Sequence, residues 1–201
     1  MTIAPDFTHA VDPVKLEKLG EVAVKVGLQL QAGQDLVITA PIAALPLVRH
    51  ITKHAYLAGA GIVTTFYSDE ETTLSRYQHG SDGSFDKASG WLYEGMAKAY
   101  ANGAARLAVA GDNPMLLSGQ DPAKVARANK ANSIAYKPAL EYISNFDINW
   151  NICSYPNPSW AKLVFPDVPV EIAVAKLADA IFAASRVDQA DPVAAWKIHN
   201  G

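Results

Sequence analysis

The sequence predicts an α/β fold: a three-layer domain with a mostly parallel sheet of about four or more strands and helices on both faces. Three observations carry this reading. Short, almost continuous apolar runs recur at 35–40 (DLVITA), 62–67 (IVTTFY), 106–111 (RLAVAG) and 148–155 (INWNICSY). Runs without polar alternation mark strands buried on both faces. Helical stretches separate each of them from the next, the alternation that builds parallel sheets.

The elements follow in order. Asp12-Pro13 opens the first helix, an aspartate N-cap with proline in the first turn. Leu16, Leu19, Val22, Ala23, Val26 and Leu30 then repeat at helical spacing, and Gly33 is expected to end the helix. After the first strand, 44–59 reads as a helix carrying Leu45, Val48, Ile51, Ala55 and Leu57. Ser68 and Glu71 have capping-box spacing, so a helix should start directly behind the second strand with Ser68 as its cap. One helix is expected from about Phe85 to Asn102. Asp121-Pro122 repeats the opening signal after the third strand. Asn157-Pro158 caps a short helix over 158–165, Pro169 to Arg186 forms an Ala/Val/Leu-rich helix, and Asp191-Pro192 starts another.

Composition narrows the function classes. The chain has 201 residues, half of them hydrophobic, which suits a single domain over 1–201. No apolar run reaches the roughly 18–20 residues needed to span a bilayer. MTIAPDFTHAVDP lacks the basic and apolar regions of a signal peptide. A net charge of −3 draws the chain to neither nucleic acid nor membrane. The lone Cys153 sits in an apolar strand, which implies a buried thiol and a reducing compartment, consistent with the cytoplasm.

Several motifs have a plain structural explanation. His50 and His54 share a helix face at metal-binding spacing. No HExxH glutamate accompanies them, and Arg49 and Lys53 flank them, so they read as a solvated face. GAGIV at 59–63 precedes a strand instead of following one, which rules out a dinucleotide loop. There is no phosphate loop and no nucleophile elbow. Asp69, Glu70 and Glu71 suit the first turn of a helix, whose dipole favours acids; their functional reading is contact with a substrate amine. GDNP at 111–114 reads as a turn at a strand end, a position where loops often carry function. In ICSYPNPSWAKLVFPD at 152–167, the two prolines fix a chain reversal beside a strand's carboxyl end, with Trp160 and Phe165 as anchors.

Three stretches in order, LEKLGEVAVKVGLQLQAGQDLVITAP (16–41), RLAVAGDNPMLLSG (106–119) and NWNICSYPNPSWAKLVFPD (149–167), together resemble the N-terminal half of the thermophilic-type metallo-aminopeptidases. The resemblance implies a two-domain, cytoplasmic, homodimeric exopeptidase that removes N-terminal residues from peptides. It also implies two divalent metal ions, zinc or cobalt, held by carboxylates, histidines and a tyrosine of the C-terminal half. No metal ligand and no catalytic residue therefore carries over onto this chain, which is expected to be inactive alone, as a domain without its catalytic partner. Residues expected to touch peptide, by hydrogen bonding and not by chemistry, are the strand-end set Ser68, Asp69, Asp112, Asn113 and Tyr155. The alternatives are a doubly wound small-molecule binding module without catalysis, and an assembly or dimerisation domain.

Overall fold

A computed structural model describes residues 7–200. The four strands are β1 (Leu36–Pro41), β2 (Val63–Ser68), β3 (Ala105–Ala110) and β4 (Trp150–Ser154). They form one sheet in the order β2-β1-β3-β4, with every pair parallel. The expected α/β class holds.

The pleat divides each strand between two cores. Leu36, Ile38 and Ala40 of β1, with Ala105, Leu107 and Val109 of β3, face the larger core. It is closed by α1 (Pro13–Val22), α2 (Leu45–Leu57), α6 (Pro158–Val164), α7 (Val170–Ala184) and α8 (Pro192–Asn200). Val37 and Trp150 face the smaller core, where Met96 and Tyr100 of α4 (Gly90–Ala101) meet Ala139 and Ile143 of α5 (Pro122–Ser144). Two apolar faces per strand explain why the strands read as continuous apolar runs.

Four local expectations change. The first helix does not run to Gly33: α1 passes into a π-helical turn, Ala23–Leu28, which Gln29 ends in the left-handed region at φ 51°. Widening the turn there lets β4 approach. A Cβ on Gly27 would stand 2.1 Å from Asn151 Nδ2, so any larger residue would have to displace the Asn151 side chain. The helix after β2, α3 (Glu70–His79), is capped by Asp69, whose Oδ1 accepts from Thr72 N at 2.8 Å. Ser68 instead stays in the strand, in register with Pro41. The expected 85–102 helix is two pieces, a 3₁₀ turn over Asp82–Asp86 and then α4. Arg76 Nη2 donates to the carbonyls of Ser84 and Lys87 and fixes that turn, while the Phe85 ring is fully buried. Leu57 stands out in solvent, 71% exposed.

The chain moves from β1 outward to β2, then crosses back over β1 to β3 and on to β4. That reversal puts the switch point of the sheet between the carboxyl ends of β1 and β3, where open α/β sheets form their ligand crevice.

Candidate functional site

The carboxyl edge is built from three chain segments. Asp69 and Glu70 follow β2, Gly111–Asn113 follow β3, and Tyr155–Asn157 follow β4. Glu70 ties them together. Its Oε1 accepts from the Asn113 backbone N–H at 3.1 Å and from Asn157 Nδ2 at 2.9 Å. Asn157 is itself buried, and its Oδ1 accepts from Ser159 N at 2.8 Å and Trp160 N at 3.2 Å, capping α6. One amide thus starts a helix and donates to a carboxylate arriving from the far edge strand.

The β3 and β4 exits are in close backbone contact. Tyr155 N donates to Ala110 O at 2.8 Å, and a Cβ on Gly111 would lie 2.4 Å from Tyr155 O. At the other end of α6, Lys162 Nζ donates to Pro166 O and Val168 O, both at 2.7 Å, and fixes the chain where it leaves the helix. Trp160 and Phe165 pack partly buried against the larger core, as anchors in the interior. That is what the stiff aromatic turn accomplishes: it holds Asn157 and the β4 exit in place.

All five strand-end residues lie on this edge, but their side chains are unequally free. Ser68 and Asp112 are exposed. Asp69 Oδ1 is engaged as a cap, and Asn113 Oδ1 accepts from Met115 N at 2.9 Å, the Asx turn expected of GDNP. Tyr155 is 5% exposed and belongs to the larger core. Glu70 and Asn157, the hub of the edge, were explained in the sequence by local roles alone, as a dipole-facing acid and a helix start. Their pairing joins residues 87 positions apart and leaves no local trace.

The histidine pair departs from expectation. His54 is buried, 8% exposed, because α1 covers that side of α2. Its Nε2 stands 3.9 Å from Glu17 Oε1, and neither ring nitrogen has a hydrogen-bond partner among the described residues. Among those residues no group of three or more His, Cys, Asp and Glu side chains is placed to hold a metal ion. The donor set among the described residues therefore does not fit a metal centre.

The fold and its edge define a doubly wound parallel α/β domain with a polar strand-end edge. The thermophilic metalloprotease (M29) family pattern matches residues 13–201, and the chain belongs to that family. It is 51% identical over 185 residues to aminopeptidase T of Thermus thermophilus, a match that covers 92% of this chain and 45% of that protein. To aminopeptidase 2 of Geobacillus stearothermophilus it is 41% identical over 189 residues, with coverage of 92% and 45%. The solved structure of wild-type AmpT from Thermus thermophilus has the same fold at a TM-score of 0.86 and 49% identity, over 92% of this chain and 45% of that one. The chain thus spans about half the length of the curated relatives it matches. Among the described residues no helix is long and apolar enough to cross a membrane.

Proposed function

We propose that this chain is the amino-terminal, non-catalytic half of a metal-dependent aminopeptidase that releases N-terminal residues from peptides. The observation that carries the reading is the near-complete match of this chain to about half of proteins named as aminopeptidases. In the complete enzyme, two divalent ions, zinc or cobalt, belong to side chains outside the described residues. The enzyme works as a homodimer in the cytoplasm.

This half walls the peptide cavity with its carboxyl edge. Ser68 and Asp112, the exposed members of the edge, hydrogen bond to peptide. Asp69, Asn113 and Tyr155 shape that edge through capping, turn formation and packing. The test has two arms. The purified 201-residue chain is assayed on a leucyl chromogenic amide with added Zn²⁺, Co²⁺ or Mn²⁺, and bound metal is counted. Neither turnover nor stoichiometric metal is expected, and turnover with bound metal overturns the reading. In an aminopeptidase that contains this half, Asp112→Ala should lower kcat/KM by about 2- to 13-fold, the worth of one hydrogen bond. Unchanged kcat/KM removes Asp112 from the peptide site.

A further inference from the structure

The face of the sheet under α4 and α5 carries a concave site, none of whose residues belongs to the strand-end set. Its volume is about 410 Å³. Arg106 of β3 forms its floor, Tyr93 and Tyr100 of α4 one wall, and Asn132, Ser133 and Tyr136 of α5 the other. That size lies within the roughly 300–1,000 Å³ range of small-molecule sites.

Two side chains here are unexplained by the fold. Tyr100 is 2% exposed, and its hydroxyl is buried with no hydrogen-bond partner among the described residues. A buried hydroxyl without a partner is unfavourable, so its retention needs a reason. Burial pushes the phenol up to about 12, which keeps it a neutral donor; the groups it senses, Tyr136 and Arg106, both line the cavity. Arg106 is the second. In register it lies between Val37 and Trp150, both in the smaller core. Its guanidinium makes no hydrogen bond or salt bridge among the described residues, and no acid lines the cavity.

The site therefore presents neutral polar groups and one cation with no carboxylate facing it. A planar guanidinium matches a carboxylate in bidentate fashion. Phosphate sites usually add a helix N-terminus or further cations, and this cavity has one cation and aromatic walls. Tyr93 and Tyr136 pair at 5.3 Å between ring centroids, tilted by 57°, which gives an apolar surface for the rest of a ligand. We propose that this cavity binds a small carboxylate with an aromatic or apolar body, the carboxylate held by Arg106 and the Tyr100 hydroxyl and the body against the Tyr93–Tyr136 pair.

The test titrates the 201-residue chain with N-acetylphenylalanine as probe, followed by calorimetry and thermal shift. Its neutral amide and inorganic phosphate serve as controls. Saturable binding of the carboxylate alone is expected, weakened about tenfold or more by Arg106→Met. Arg106→Lys keeps the charge, loses the fork, and should also weaken binding should Arg106→Met fail to fold. Tyr100→Phe should weaken binding without lowering the Tm of the free chain, because it deletes a hydroxyl that has no partner there. A purely structural role for Tyr100 would leave affinity untouched. The proposal is overturned by no saturable binding up to about 10 mM. It is also overturned by equal response to the amide or to phosphate, or by wild-type affinity in both Arg106 variants.

Discussion

Glu70 and Asn157 meet at 2.9 Å although they follow opposite edge strands of the sheet. With strands about 4.8 Å apart, the ends of β2 and β4 are separated by roughly 14 Å. The contact therefore requires both loops to lean inward over β1 and β3, across the switch point. Asn157 serves two functions there, capping α6 with its oxygen and donating to Glu70 with its nitrogen. Asn157→Ala should destabilise the chain by about 1–3 kcal/mol in urea denaturation, through the lost cap and the loss of one of the two donors to Glu70. Asn157→Asp keeps the cap but faces Glu70 with a second carboxylate. It should be the worse of the two at pH 7 and should recover on acidification. If Asn157→Asp is as stable as wild type at pH 7, the amide's donation to Glu70 contributes nothing.

Gly111 is fixed by its neighbour and not by its own dihedrals. An added Cβ would stand 2.4 Å from Tyr155 O, a backbone atom that cannot swing aside. The two strand exits would have to part, and the Tyr155 N to Ala110 O bond lies in that gap. Gly111→Ala should therefore lower stability by about 1–3 kcal/mol or more, as overpacking does. It should also speed amide exchange at Tyr155 more than at Ile38 in the sheet centre. Wild-type stability in Gly111→Ala would show that the exits can separate freely.

Much of the fold was legible because its signals are local. Continuous apolar runs gave the four strands, and Asp12, Asp121 and Asn157 cap helices as their Asx-Pro steps predict. The misreadings come from contacts made at a distance. Ser68 and Asp69 compete for one helix cap, and pairing of Ser68 with Pro41 of β1 decides between them. The π-helical turn answers to Asn151, more than a hundred residues downstream. His54 carries the same spacing whether it faces solvent or α1, and only packing distinguishes the two. At the candidate site the segments were legible, but the Glu70 hub was not, since a carboxylate in a first helical turn already has a sufficient local reason to be there.

Cys153 faces the larger core from the edge strand β4. The residue is only partly covered as a whole, but desolvation of its sulfur raises the thiol to about 12. The thiolate is the reactive species. At pH 8 an ordinary thiol with a pKa of about 8.5 is about a quarter ionised, and this one is ionised about one part in ten thousand. Alkylation by iodoacetamide at pH 8 should therefore run at least about a hundredfold slower in the folded chain than in 6 M guanidinium. Equal rates would mean that the sulfur is open to solvent.

His54 makes stability depend on pH with a defined sign. Burial dominates and lowers its pKa below the ordinary histidine value of about 6.5; Lys53 and Lys25 add to the effect, while Glu21 and Glu17 oppose it. The folded state thus holds the proton less tightly than the unfolded chain. Above about pH 7 both states are neutral at this residue and it contributes no slope. As pH falls below about 6.5 the unfolded chain takes up a proton first, and stability declines by up to about 1.4 kcal/mol per pH unit until the folded pKa is reached. His54→Leu should flatten this part of the urea-stability profile between pH 7 and 5. Glu17→Gln should steepen it, because Glu17, held by Lys53 at 2.5 Å, is a carboxylate that favours the imidazolium. A His54→Leu profile that parallels wild type through that window would place the titrating group elsewhere.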